Sequence, residues 1–143
     1  MSAPKKVIVA RVFDADPKMV WQAITQKELM KQWYFDLAEF KPELGFSFEF
    51  MGGPEDGVQY KHLCEITEVI PEQKLTYSWR YDGYDGITYV TFELFDLNGK
   101  TQLTLTHVGF ETFPLIPDFA IHNFEAGWNH IINTSLKDFL EKN

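Results

Sequence analysis

Apolar and polar positions alternate with a period of two on both sides of one turn signal. Val90, Phe92 and Leu94 are separated by Thr91 and Glu93, and Leu103, Leu105 and His107 by Thr104 and Thr106. That pattern predicts two strands with one buried and one solvated face. Between them stands Asn98-Gly99, the dipeptide that tolerates the positive φ angles of a tight hairpin turn. Folding the chain there sets Leu94 against Leu103, Phe92 against Leu105 and Val90 against His107, so the inner face is apolar until it ends at an imidazole. A second turn, Gly83-Tyr84-Asp85-Gly86, predicts a four-residue loop that places Tyr81, Trp79, Tyr77 and Leu75 opposite Thr88, Val90, Phe92 and Leu94. Both turns direct large side chains to the same face.

Other stretches follow the same logic. Residues 7–13 are a β-branched run that predicts a first strand, ending where Asp16 can cap a helix that has Pro17 in its first position. Val20, Ala23 and Ile24 give that short helix its inner side, and residues 26–33 predict a second one through Leu29, Met30 and Trp33. From residue 37 the chain becomes strand-like, with Phe46, Phe48 and Phe50 alternating with Ser47, Glu49 and Met51 before the loop at residues 52–57. Residues 60–70 form a long strand whose inward parity is open, since both Cys64/Ile66 and Leu63/Val69 are apolar. Pro71-Glu72-Gln73 turns it into the strand that carries Tyr77 and Trp79.

The C-terminal run, residues 119–142, changes period. Ile121, Phe124, Trp128, Ile131, Ile132, Ser135, Leu136, Phe139 and Leu140 recur at helical spacing and predict an amphipathic helix that needs a partner surface. The result is an α+β domain in which a curved antiparallel sheet wraps around that helix. Aromatic residues are 16% of the chain and many fall on inward faces. Large rings on a curved sheet predict a cavity of at least ~300 Å³ between sheet and helix, set against a filled core as the default.

Composition narrows the function classes. With 143 residues, 45% hydrophobic and 24% charged, the chain reads as one domain spanning residues 1–143. Its net charge of -8 and scattered Lys and Arg argue against nucleic acid and anionic lipid surfaces as partners. Cys64, the single cysteine, reads as a small buried hydrophobe. The N-terminal residues are too short for a signal-peptide core and no apolar stretch reaches the ~20 residues of a membrane span, so a cytoplasmic domain without membrane insertion is expected. No phosphate loop, nucleophile elbow, paired cysteines or His-Glu-x-x-His occurs, and His122 and His130 fall on different sides of the last helix. No cofactor and no metal are therefore expected.

The order of several motifs carries a resemblance. Ala15-Asp16-Pro17 before Val20-Trp21, the helix ending at Trp33, Glu68-Val69 before Pro71 and Leu75, Tyr77-Ser78-Trp79, the strand 90–94, the strand 101–107 with Gly109-Phe110, and Gly127-Trp128 span nearly the whole chain. Together they resemble the activator of heat-shock-protein ATPase homologue family of the START-like, SRPBCC superfamily. The resemblance implies a helix-grip fold of about seven strands, namely one strand, two short helices and six further strands, around a long C-terminal helix with a deep pocket between. The superfamily includes carriers of lipids and other apolar ligands, cyclases and aromatases, and a co-chaperone domain linked to the stress response. The chain carries no counterpart of the domain that precedes the match in the eukaryotic co-chaperone, so alone it is expected not to stimulate a chaperone ATPase.

Candidate site residues follow. Trp33, Phe48, Tyr77, Trp79, Phe92, Phe110, Phe124 and Trp128 are candidates for an aromatic pocket wall, with His107 at its mouth or floor as a ligand hydrogen-bonder or a satisfied core imidazole. The leading reading is non-covalent binding of a small hydrophobic molecule, lipid-like or aromatic. A cyclase- or hydrolase-type enzyme using His107 and Glu125 is the alternative, since a carboxylate beside aromatic rings is prepared as a general acid. A co-chaperone-like interaction module is the third; it would leave apolar residues such as Phe119 in an exposed patch.

Overall fold

A computed structural model describes residues 6–34, 37–53 and 57–141. Residues 1–5, the centre of the predicted loop at 54–56, and Lys142 at the predicted helix end lie outside the described residues. Strand β1 (Lys6–Phe13) is followed by helices α1 (Pro17–Thr25) and α2 (Lys27–Met30), and then by a meander of β2 (Ser47–Gly52), β3 (Tyr60–Ile70), β4 (Lys74–Tyr81), β5 (Thr88–Leu97) and β6 (Lys100–Val108). Helix α3 (Ile121–His130), a π-helical segment (Ile131–Leu136) and α4 (Lys137–Glu141) complete the described chain. The strands form one antiparallel sheet in the order β1-β6-β5-β4-β3-β2. Its inner face carries Val7, Val9, Ile66, Leu75, Tyr77, Val90, Phe92, Leu103 and Leu105, all buried.

The Asn98-Gly99 hairpin has the predicted register: Leu94 pairs with Leu103, Phe92 with Leu105 and Val90 with His107. Asn98 and Gly99 take φ values of 56° and 94°, the left-handed conformations the tight turn requires. Asp16 caps α1, its Oδ1 accepting the Met19 N–H at 2.9 Å.

Two expectations need correction, and one open point is resolved. First, the described sheet has six strands, not about seven, because residues 37–46 do not form one of their own. Leu37 and Phe40 pack into the core, but Pro42 has no N–H to donate and Gly45 turns the chain with φ 85°. Pairing with β3 begins only at Gly45 and Phe46, which bond to Ile66.

Second, β4 and β5 pair two residues away from the predicted register, with Trp79 opposite Thr88, Tyr77 opposite Val90 and Leu75 opposite Phe92. The end of the connecting loop is held elsewhere. Thr112 Oγ1 accepts the Ile87 N–H at 2.9 Å and lies 2.8 Å from the Ile87 carbonyl. An even offset keeps every side chain on its predicted face.

Third, the parity of β3 is not single. His62, Cys64 and Ile66 face inward, and a bulge between Ile66 and Glu68 then brings Val69 against Leu75. A bulged residue shifts the alternation by one, which is why Val69 joins Cys64 and Ile66 against the core while Leu63, before the bulge, does not.

The C-terminal helix buries Trp128, Ile132, Leu136 and Leu140, every fourth residue. In a straight α-helix a repeat of four drifts about 40° per step. The π-helical segment, whose turns are wider, spans Ile131–Leu136 and keeps this row on the sheet.

Candidate functional site

The core beneath the helix is filled. Trp128 lies 5.7 Å from Trp79 and 6.1 Å from Phe92, ring centre to ring centre, and Phe48 packs edge-on to Tyr77 at 5.1 Å. Tyr77 shares a 2.7 Å hydrogen bond with the Tyr34 hydroxyl. Trp33 donates its indole N–H to the Ala23 carbonyl at 2.9 Å and braces α1 against the core. Trp33, Phe48, Tyr77 and Phe92 are therefore packing residues, and the deep central pocket is replaced by a cleft at its rim.

That cleft has a volume of about 490 Å³ and opens where α3 passes the ends of β2, β3 and β4. Trp79, Phe124 and Trp128, three of the candidate wall residues, line it, and Tyr60, His62 and Tyr81 come from β3 and β4 to complete the sheet side. Phe119 and Asp118 close one end, and Gly52 and Gly53 border it at the end of β2. On the helix, Phe124, Gly127, Trp128 and Ile131 present one face to it, at spacings of three and four. Gly127 leaves a gap in that face, since an added Cβ would meet nothing within 4 Å.

His107 is fully buried behind this wall. The Trp128 indole N–H donates to its Nδ1 at 3.0 Å, so Nδ1 bears no proton and Nε2 is the N–H that donates to Thr88 Oγ1 at 2.7 Å. The Thr88 hydroxyl donates in turn to the Trp79 carbonyl at 3.0 Å. Burial lowers the His107 pKa to about 3, and protonation would also set two N–H groups against each other at Trp128. Phe110 lies 4.5 Å from the His107 ring and 4.8 Å from Phe124, a second layer behind the cleft. Glu125 is exposed on α3 and does not line the cleft. The structure thus does not assemble the His107 and Glu125 pair that the enzyme alternative requires.

His62 was missed, along with Tyr60 and Tyr81, because they precede the bulge that obscured the parity of β3 or close the inward series of β4. The His62 ring stacks on Phe50 at 4.4 Å and meets Trp79 and Tyr81 edge-on at 4.9 and 4.7 Å. Burial lowers its pKa to about 4, against the opposing pull of the Tyr60 and Phe50 carbonyls. It faces the cleft as a neutral ring. The Tyr81 hydroxyl accepts the Trp79 indole N–H at 3.0 Å, which leaves its own proton available; burial pushes this phenol pKa up. Phe119, which the interaction-module reading would leave in an exposed patch, is buried and stacks on Tyr81 at 4.6 Å. Leu115, between Pro114 and Pro117, is the fully exposed apolar residue of that segment.

This arrangement sits in a recognisable chain. The family model described as "Activator of Hsp90 ATPase homolog 1-like protein" matches residues 14–141. The chain belongs to this family. The human activator of 90 kDa heat shock protein ATPase homolog 1 is 24% identical over 102 residues, covering 70% of this chain and 28% of that protein. The chain therefore spans about a quarter of the length of the curated relatives it matches. A Mesorhizobium loti structure superimposes with a TM-score of 0.78 at 26% identity, over 96% of this chain and 98% of that one. A Chromobacterium violaceum structure gives 0.81 at 20% identity, over 99% and 100%. The helix-grip, START-like architecture is shared with these neighbours. Among the described residues no helix is long and apolar enough to cross a membrane.

Proposed function

We propose that this domain binds a small, flat, hydrophobic molecule non-covalently in the cleft between the sheet and α3. The observation that carries the reading is the cleft itself: about 490 Å³ walled by Trp79, Tyr81, Phe124 and Trp128, with Gly127 holding space on the helix side. A volume of ~300–1,000 Å³ with an aromatic wall and few polar groups suits a small-molecule site. The free proton of Tyr81 supplies one orienting donor for an oxygen on the ligand. Titration with the uncharged probe N-phenyl-1-naphthylamine tests this: saturable enhancement of probe emission with a matching change in tryptophan emission is expected. A signal that never saturates rejects the reading.

A chaperone-directed interaction is the second reading, favoured by the family match and by Leu115, which stands fully exposed in the segment between β6 and α3. The activity named for the human relative belongs to a protein of which this chain matches 28%.

A further inference from the structure

Resting on the ligand-binding reading, we infer that the cleft selects ligands by charge: it takes a flat apolar body carrying a basic amine, with Asp118 as the counter-ion and Tyr60 as the residue that holds Asp118 in place. Among the described residues that line the cleft none is Lys or Arg, and Asp118 is the one carboxylate. The chain as a whole carries a net charge of -8. A fatty-acid carboxylate or a phosphate would thus enter an uncompensated negative field, while an ammonium group is drawn in.

The end of the cleft at Asp118 opens to solvent and presents one carboxylate to an incoming ligand. The Tyr60 hydroxyl donates to Asp118 Oδ2 at 2.5 Å, and no other partner of this carboxylate occurs among the described residues. Asp118 Oδ1 is left to accept from a ligand. That hydrogen bond to Asp118 is the main cause raising the Tyr60 pKa to about 12, so the phenol remains a donor. Around it, the Tyr60 ring lies 5.6 Å from Tyr81 and 5.2 Å from Phe119. Ring faces carry negative electrostatic potential, and an aromatic wall beside one carboxylate favours an ammonium group over an anion. His62, neutral among Phe50, Trp79 and Tyr81, adds no competing positive charge.

Three probes sharing one ring system test the selection by fluorescence titration: 9-anthracenemethylamine, 9-anthracenemethanol and 9-anthracenecarboxylate. The amine is expected to bind about tenfold tighter than the alcohol, and the carboxylate more weakly than either. Asp118→Asn should abolish the preference for the amine while leaving the alcohol unchanged, and Tyr60→Phe should reduce it. Equal binding of all three overturns charge selection and leaves the cleft as a ligand site. Saturable binding of none overturns the ligand-binding reading beneath it. A preference for the amine that survives Asp118→Asn overturns the role of Asp118.

Discussion

The indole of Trp128 on α3 donates to His107 on β6 at 3.0 Å, and this single bond fixes the tautomer of a fully buried imidazole and the pose of a cleft-wall ring. Phenylalanine in place of His107 can occupy the same apolar surroundings but strands the Trp128 N–H and removes the donor to Thr88. His107→Phe is expected to cost about 1–3 kcal/mol, because buried polar groups lose their partners. Urea unfolding measures the loss, and binding of N-phenyl-1-naphthylamine should be retained. Intact stability with altered probe selectivity would instead make His107 a ligand contact.

Acid should weaken the fold before carboxylates titrate. His62 and His107 have folded pKa values lowered to about 4 and about 3 from 6.5. As pH falls through 6.5 the unfolded chain binds protons that the folded chain refuses. Their contribution is therefore fully present above that pH and declines toward 4. By pH 5 each histidine should have removed about 2 kcal/mol. Denaturant midpoints at pH 7 and pH 5 read this directly, and His107→Phe should cut the difference roughly in half. A midpoint independent of pH across this window contradicts the burial of both rings.

The legible parts of the sequence were those in which local chemistry decides the outcome. Asn98-Gly99 set a register that holds to the residue, and Asp16-Pro17 started a helix where predicted. What was hidden depended on distant contacts. The β4–β5 register depends on Thr112, 25 positions beyond Ile87, and the inward parity of β3 on a one-residue bulge. For the site, alternation identified which rings face inward but not which are covered. Tyr77 and Trp79 share a strand face, yet only Trp79 reaches the cleft, because Phe48 and Phe92 cover Tyr77.

The clasp between the β4–β5 loop and the segment after β6 can be tested with two glycines of similar φ. Gly86 has φ 105° and an added Cβ would lie 2.4 Å from the Thr112 carbonyl oxygen, whereas Gly83 has φ 84° and open space. Gly83→Ala should cost about 1 kcal/mol for the left-handed backbone alone. Gly86→Ala should cost more than about 2 kcal/mol, since backbone must also move. Equal losses in thermal unfolding would mean that the loop does not rest on Thr112.

The chaperone reading has its own assay. Because the chain matches 28% of the human relative, we expect no stimulation of the ATPase of a ninety-kilodalton heat-shock chaperone by this chain alone. Clear stimulation that is lost in Leu115→Asp would place the interaction reading above ligand binding.

Gly127 separates the fold from the function. It lies inside α3, where glycine is about 1 kcal/mol less favourable than alanine, and its missing side chain faces an open cleft. Gly127→Ala should therefore stabilise the domain by about 0.5–1 kcal/mol. Gly127→Phe should keep the thermal midpoint near that of the native chain, since the new ring enters space and not packed core. Its ring would occupy the volume between Phe124, Trp128 and Tyr81 that a ligand needs. Loss of N-phenyl-1-naphthylamine binding in the Phe variant, with folding intact by circular dichroism, is the expected result. Undiminished binding by a folded Gly127→Phe chain would show that the probe sits elsewhere, and the cleft would lose its assignment.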